Sequence, residues 1–236
     1  MAYAEYTRNN KSLIKRFSHQ KRFDVAIKLI DLKANQSLLD FGTGDGYLLK
    51  CLNDAHKNVK LYGYDPLDFM FEELKTTIKE NSLKNISITS NLSTLNSLEF
   101  DIVSCQEVLE HFSIKNQKKH LQELKKRTKD SGKIVISVPL EIGFSGLTKN
   151  IIRFCIGQNK EGATLKNIFK SFLGLKIPRQ EEGYIGTHIG FNHKNLEALF
   201  DDAGLKVIKK EYSPFKFLYG LMNSQVFYVL KKQNIN

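Results

Sequence analysis

Short apolar runs alternate with stretches of helical periodicity along most of the chain. The apolar runs are rich in β-branched and aromatic residues and are bounded by Gly, Asn, Asp or Pro, as is typical of β-strands. Seven such runs follow in order: SLLDF (37–41), KLYGYD (60–65), ISIT (86–89), FDIVSC (100–105), KIVISVP (133–139), 206–211 and 225–230. Because most of them are nearly continuously hydrophobic and helices separate them, they predict a parallel sheet covered on both faces. The sequence therefore predicts a doubly wound α/β domain with a mostly parallel, seven-stranded sheet.

Amphipathic helices are predicted around these strands. Before the first strand, apolar residues recur at i, i+3, i+4 and i+7 in Phe23, Ala26, Ile27 and Ile30, which predicts a helical N-terminal segment within residues 1–36. Further helices are predicted over residues 47–52, 68–81, 115–128 and 193–203, and Gly204 is placed to cap the last of them.

The alternation breaks after Pro139 and resumes only near residue 187. Two amphipathic pieces, each a predicted helix, lie in this stretch. The first covers residues 147–156, and the second has an apolar stripe on one side and lysines on the other. The stripe consists of Leu165, Ile168, Phe169, Phe172 and Leu173, and the lysines are Lys166 and Lys170. We predict that residues 140–186 are a helical insertion after strand five, within a single domain of residues 1–236. It would form a lid over the carboxyl ends of the strands, where ligands of such sheets bind, and its apolar stripe would wall the ligand pocket.

Composition and charge narrow the class of protein. The chain has 236 residues, of which 41% are hydrophobic and 26% charged, so it falls in the ordinary globular range. The excess of 36 basic over 25 acidic side chains is concentrated in residues 1–33 and 115–133. These two basic patches could meet nucleic acid, an anionic membrane surface or an acidic substrate, although charge runs more often form a solvated helix face.

The cysteines and the hydropathy of the chain indicate the cellular compartment of the protein. Cys51, Cys105 and Cys155 are odd in number and match neither a zinc pattern nor CxxC, which favours reduced thiols. No stretch of the sequence approaches the roughly 18 to 20 apolar residues that span a bilayer. We therefore expect a cytoplasmic protein without a transmembrane segment.

The first strand runs directly into a glycine-rich loop, DFGTGDG at residues 40–46. Glycines at alternate positions let the backbone turn tightly and approach a ligand closely. The third glycine comes one residue too early for the GxGxxG of dinucleotide sites. Asp45 also places a carboxylate in the turn, so the loop is poorly suited to binding a pyrophosphate. Asp65, at the end of the second strand, can accept both hydroxyls of a ribose. A ribose without a pyrophosphate indicates a nucleoside cofactor.

Three motifs in this order resemble the class I S-adenosylmethionine (SAM)-dependent methyltransferases. They are DFGTGDG, the acidic Asp65, and FDIVSCQEVLEHF at residues 100–112. The chain is most similar to methyltransferases of types 11 and 23, and in its core motifs to ubiquinone-pathway O-methyltransferases. The resemblance covers residues 37–139 and extends through residues 188–207, leaving the insertion unmatched. It implies a Rossmann-like methyltransferase fold and SAM as the cofactor.

The resemblance also implies which residues hold SAM. By position they are Asp40, Gly42, Gly44, Gly46, Asp65, Asn91, Leu92 and Gln106. The glycines would lie against the methionine and ribose portions, Asp40 would hold the loop, and Gln106 would approach the methionine end largely through its backbone. Where the family commonly has an Asp that accepts from the adenine amino group, this chain has Asn91, which can accept through its carbonyl oxygen.

Glu107, Glu110 and His111 form an ExxEH motif, whose spacing places them on one face if the turn after strand four is helical. They could bind a divalent cation, as in the metal-dependent O-methyltransferases of ubiquinone synthesis and of small-RNA 3′ ends that the motif resembles. Metal-free relatives carry a similar motif, with the His as a general base or a structural hydrogen-bonding group. We take His111 and Glu107 as the catalytic candidates and assign no metal ligand. His188 and His193 could also reach the mouth of the site.

The predicted function is O-methylation of a small-molecule or glycan acceptor. The methyl group of a sulfonium is already activated, so positioning can supply most of the acceleration and a base helps only a protonated nucleophile. An RNA methyltransferase is the alternative that the basic patches favour. A non-catalytic cofactor-binding or membrane-surface module is a second alternative, favoured by the amphipathic pieces of the insertion.

Overall fold

The computed structural model describes residues 13–144, 146–147, 151, 164–215 and 223–233. Seven strands form one sheet in the order β3-β2-β1-β4-β5-β7-β6. All neighbouring strands are parallel except that β7 runs antiparallel to both β5 and β6. The strands are β1 (Ser37–Phe41), β2 (Lys60–Tyr64), β3 (Ile86–Thr89), β4 (Phe100–Gln106), β5 (Thr128–Pro139), β6 (Leu205–Ser213) and β7 (Gln225–Lys232). The predicted mostly parallel, seven-stranded α/β fold is confirmed.

Helices cover both faces of the sheet. They are α1 (Leu13–Ile30), α2 (Tyr47–Ala55), α3 (Asp68–Glu80), α4 (Ile114–Lys126), α5 (Leu165–Phe172) and α6 (His193–Asp202), with short 3₁₀ turns at Leu92–Leu95 and Leu109–His111. One apolar core joins α4 and α6 to the sheet face that carries Leu39 and Val103. The other joins α1, α2 and α3 to the face that carries Leu38 and Ile102. Neighbouring residues of a strand point to opposite faces, so β1 and β4 contribute to both cores.

The boundary between α4 and β5 differs from the predicted one. The helix ends at Lys126, and Thr128 already belongs to β5, where it pairs with Phe100. The hydroxyl of Thr128 donates to the carbonyl oxygen of Leu124 at 2.7 Å. The register between β4 and β5 then shifts, so that Ile102 pairs with Lys133. The polar residues of this irregular pairing carry no alternating pattern, and the sequence therefore places the strand too late.

The region after β5 contains α5 where the second amphipathic piece is predicted. The first piece, over residues 147–156, lies largely outside the described residues, as do Cys155 and residues 216–222. In the part of the chain that is described, no helix combines the length and the apolar character that crossing a membrane demands.

Candidate active site

A cavity of about 490 Å³ opens at the carboxyl ends of β1, β2 and β4. Its floor is the glycine loop and the residues that follow β2 and β4. Arg22, Phe23 and Ala26 of α1 form one wall, and Tyr184, Gly186 and His188 from the region before α6 form another. The volume lies within the range of small-molecule and cofactor sites, and the carboxyl edge of an open α/β sheet is where such ligands bind.

The three glycines of the loop differ in what they do. All have positive φ angles, of 76°, 59° and 76° for Gly42, Gly44 and Gly46. A Cβ at Gly42 would lie 2.4 Å from Val108, and one at Gly46 would lie 2.4 Å from Leu74, so close packing excludes a side chain at both. At Gly44 no atom of the described chain lies within 4 Å of the Cβ position, and Gly44 lines the cavity. Gly44 is therefore the glycine whose missing side chain leaves room for a ligand.

Asp65 fixes the loop and faces the cavity. One carboxylate oxygen accepts from the backbone N–H of Gly44 at 2.8 Å, and the other accepts from that of Leu67 at 3.0 Å. Burial raises the pKa of Asp65, and the two N–H groups act in the opposite direction. Each oxygen keeps a second lone pair, so the carboxylate can accept from ribose hydroxyls while it holds the loop.

We expect Asp65→Ala to weaken SAM binding by roughly 1.5 to 3 kcal/mol, the range for hydrogen bonds to a charged group. The loss includes the contact that holds Gly44. The matched control is Asp54→Ala, because Asp54 is an exposed carboxylate on α2 that pairs with Lys50 at 2.7 Å, away from the cavity. Calorimetric titration of SAM into both variants measures the difference, and equal affinities would show that Asp65 does not contact the cofactor.

Asp40 is a buried carboxylate on the cavity wall, with one oxygen that has no hydrogen-bond partner among the described residues. Burial raises the pKa of Asp40 to about 6, and the hydroxyls of Thr43 and Ser104 act against this shift. A buried acceptor without a partner is costly unless a ligand supplies a donor. The amino group of the methionine portion of SAM is such a donor and is cationic, so the residue fits the cofactor.

Asp40→Asn should stabilise the free protein at pH 8 by up to about 3 kcal/mol. The raised pKa means that the folded state binds the proton more tightly than the unfolded state. The cost of ionising Asp40 is thus absent below the unfolded pKa near 3.8 and complete above the folded pKa of about 6. Thermal unfolding should show a gain at pH 8 that disappears near pH 4, together with weaker SAM binding. A variant destabilised equally at both pH values would contradict this account.

Glu107 connects three elements of the fold through its carboxylate. It does not share a helical face with Glu110 and His111. It precedes the 3₁₀ turn and has a positive φ of 55°, so the expectation of one continuous helical face is wrong. Its carboxylate accepts from the guanidinium of Arg22 on α1 and from the side-chain amide of Gln225 on β7. Burial acts to raise the pKa of Glu107, but the Arg22 charge and nearby histidines hold it below its ordinary value. The ionised Glu107 therefore ties α1 and β7 to the end of β4.

His111 lies on the cavity wall in a fixed orientation. Its Nδ1 is 2.8 Å from the carbonyl oxygen of Ile185, and its ring stacks on Tyr184 with centroids 4.5 Å apart. Because a carbonyl oxygen only accepts, Nδ1 must carry the proton, and in the neutral ring the lone pair is on Nε2. This is the tautomer that a general base needs.

Glu110 and His188 complete a cluster around His111. Glu110 is fully buried, and neither carboxylate oxygen has a hydrogen-bond partner among the described residues. Burial, and then the charge of Glu107, raise the pKa of Glu110 well above its ordinary value. One ligand atom from each of Glu110, His111 and His188 lies within 4.8 Å of the others. These three residues form a candidate cation site. The ExxEH motif predicts Glu107 as the third ligand, whereas the structure has His188 there.

Several predicted site residues do not line the cavity in the described chain. Asn91 caps the 3₁₀ turn that begins at Leu92, and its side-chain oxygen accepts from Ser93 N and Ser93 Oγ. Neither Asn91 nor Leu92 is among the described residues that line the cavity, and the same holds for Gly46. His193 is buried at the start of α6, where burial lowers its pKa to about 4, so the expectation that it reaches the mouth of the site is wrong.

Gln106 does line the cavity, with its side-chain amide donating to Ser104 Oγ and to the carbonyl oxygen of Val135. The apolar stripe of α5 does not contribute to this wall. Leu165, Phe169 and Leu173 are exposed to solvent, so the expectation that the stripe walls the pocket is wrong. Arg22 and Tyr184 also line the cavity, and the motifs miss them because both lie in regions that match none of the motifs.

Comparison with solved structures identifies the fold. The PH0226 protein from Pyrococcus horikoshii is 17% identical, with a TM-score of 0.66 over 98% of this chain and 96% of that one. Magnesium protoporphyrin IX methyltransferase from Synechocystis, solved with bound SAH, is 11% identical, with a TM-score of 0.60 over 95% and 89%. A SAM-dependent methyltransferase from Aquifex aeolicus is 16% identical, with a TM-score of 0.57 over 88% of each chain. No curated protein matches the chain.

The doubly wound sheet and its glycine loop define a class I SAM-dependent methyltransferase. A family model described as a methyltransferase domain matches residues 3–210. The chain therefore belongs to this methyltransferase family. It is an enzyme, and SAM is its cofactor.

Proposed function

We propose that the protein methylates a hydroxyl group of a small molecule or glycan, with His111 as the general base. When bound, SAM supplies an activated methyl group on its sulfonium. The observation that carries the proposal is the hydrogen bond from His111 Nδ1 to Ile185, which leaves the basic Nε2 on a ring at the cavity wall. A hydroxyl is the acceptor that needs such a base, because it starts protonated.

The other residues have binding and positioning roles in this proposal. Asp40 and Asp65 hold the amino and ribose groups of SAM, and Gly44 leaves room for it. Tyr184 keeps the imidazole of His111 in place by stacking. Glu107 positions the turn that carries His111 through its contacts with Arg22 and Gln225. His111 removes the acceptor proton as the oxygen attacks the methyl carbon in line.

Residues 140–186 remain a proposed lid. Tyr184 and Gly186 line the cavity, and His188 follows directly. His188 Nδ1 lies 3.7 Å from a carboxylate oxygen of Glu141, which connects the start of the region to the segment that follows it. We place the acceptor beneath this segment, on the side of the cavity that His111 faces.

A divalent cation at Glu110, His111 and His188 is the second candidate, supported by the buried and unpaired carboxyl of Glu110. A cation would lower the pKa of the acceptor hydroxyl and remove the need for a base. It would also displace the proton from Glu110 and so relieve the cost of burying that group.

The contacts of the second basic patch favour a small acceptor over RNA. Lys118 pairs with Asp202 at 2.9 Å, Lys129 pairs with Asp101 at 2.8 Å, and Lys125 donates to the carbonyl oxygen of Ala203. These three lysines of the 115–133 region are engaged in contacts within the fold. Binding to phosphates would require them to exchange those contacts.

The experiment that tests the proposal is incubation of the protein with a cell extract and methyl-labelled SAM, followed by mass spectrometry of the labelled product. We expect the label on an oxygen of a small molecule or glycan. Treating a parallel sample with chelator separates the base from the cation, because only the cation mechanism loses turnover. Label on RNA, or on nitrogen or carbon of any acceptor, would contradict the proposal.

A further inference from the structure

The helix α5 carries an exposed apolar face that the active site does not use. Leu165, Phe169 and Leu173 expose 65%, 59% and 52% of their surface, and their spacing of four residues places them along one side of the helix. Leu175, which is 53% exposed, extends the face just beyond the helix. A row of large apolar side chains open to solvent marks an interaction surface. We call these four residues the α5 face.

The opposite side of α5 is attached to the body of the protein. Ile168 is buried, and the hydroxyl of Ser171 donates to the carbonyl oxygen of Glu141 at 2.6 Å. The ring of Phe172 packs edge-on against Phe144, with centroids 5.4 Å apart. The helix is thus held from one side and presents the α5 face outward. Glu141 also lies 3.7 Å from His188 of the cavity wall, so it connects α5 to that wall.

The charges around the α5 face indicate what covers it. Residues 164–176 contain three lysines, Lys166, Lys170 and Lys176, and no acidic residue. Lys166 and Lys170 are one turn apart and follow the edge of the α5 face, about 100° around the helix from Leu165 and Phe169. An apolar face bordered by lysines is the pattern of helices that lie in a membrane interface, where anionic headgroups pair with the lysines.

Other occupants fit these charges less well. A second copy of the chain would bring lysines against lysines, in a protein whose formal net charge is already +11. An anionic lipid surface satisfies the apolar side chains and the lysines together. We propose that the α5 face docks the protein on anionic membranes, with its apolar side chains among the acyl chains and its lysines at the headgroups. This docking is independent of the proposed O-methylation and requires neither acceptor nor turnover.

Vesicle sedimentation with the full-length protein tests the docking. We expect binding to vesicles of equal parts phosphatidylglycerol and phosphatidylcholine, and little binding to phosphatidylcholine alone. The double variant Leu165→Ser/Phe169→Ser should reduce partitioning at least about tenfold through lost apolar burial. Lys166→Glu/Lys170→Glu should reduce it by about tenfold or more through repulsion from the headgroups. The control is Ile208→Ser, which removes a half-exposed apolar side chain from β6 and should change nothing.

SAM calorimetry on each variant checks that the fold is intact, since the altered residues do not line the cofactor cavity. Failure of the unaltered protein to bind anionic vesicles would overturn the proposal. Equal binding by both kinds of vesicle, or unchanged binding by the two double variants, would overturn it as well. A dimer in sedimentation equilibrium that Leu165→Ser/Phe169→Ser dissociates, without vesicle binding, would assign the α5 face to a second copy instead.

Discussion

Replacing His111 by alanine is expected to lower kcat by roughly 100-fold to 10,000-fold while leaving SAM affinity nearly unchanged. The Ile185 carbonyl and stacking on Tyr184 orient the imidazole at the cavity wall, and the proposed mechanism uses its Nε2 as the base. The measurement is steady-state kinetics on the acceptor found in the extract experiment. The matched control is His56→Ala, because His56 follows α2 and is not among the described residues that line the cavity.

Two further variants distinguish a base from a metal ligand. If a cation is bound, chelator should abolish turnover, and Glu110→Gln and His188→Gln should be impaired as deeply as His111→Ala. If His111 acts as a base, chelator has no effect, and raising the pH should partly restore the rate of His111→Ala by ionising the acceptor. Near-normal turnover by His111→Ala, without metal dependence, would exclude both roles and show that the His111 imidazole is only structural.

Gly44→Val is expected to reduce SAM affinity by more than about 100-fold, equivalent to roughly 3 kcal/mol or more. The space beside the Gly44 Cα belongs to the cavity, and a valine side chain would occupy it. Valine would also be strained at the φ of 59°. Calorimetry gives the affinity, and denaturant unfolding gives the stability of the same variant.

A control at Gly174 separates the effect of backbone strain from the effect of filling the cavity with a side chain. Gly174 has a φ of 67° and no atom of the described chain within 4 Å of its Cβ position, but it lies just past α5 and does not line the cavity. Gly174→Val should therefore lose a similar free energy of unfolding and keep its SAM affinity. If both variants lose affinity alike, or if Gly44→Val binds SAM normally, the cofactor does not lie against Gly44.

Much of the fold follows from local patterns in the sequence. Strands such as β1 and β4 are buried on both faces, so most of their residues are apolar, and the helices between them show one apolar side. Strand β5 is the counterexample, because its first residues are polar and pair across an irregular register. Pairing of that kind depends on the neighbouring strand and leaves no periodic signal.

The sequence predicts those parts of the candidate site that lie in loops directly after strands. Gly44 and Asp65 lie where their motifs place them, because the carboxyl ends of parallel strands meet at one edge of the sheet. Motif spacing failed where the backbone departs from a helix, as at Glu107 with its positive φ. It also could not show that Arg22 would bind Glu107, since that contact joins distant segments through tertiary packing. His188 and Glu110 were both recognisable as candidates, but the sequence could not show that they would meet around His111.

Calorimetric titration tests most directly whether SAM binds in the cavity between the glycine loop, Asp65 and His111. SAM and its demethylated product should each bind the unaltered protein in the micromolar range, near about −8 kcal/mol. Gly44→Val should remove both signals, and Gly174→Val should retain them. Tight binding of NAD with no response to SAM or its product, or SAM binding that Gly44→Val leaves unchanged, would contradict the account.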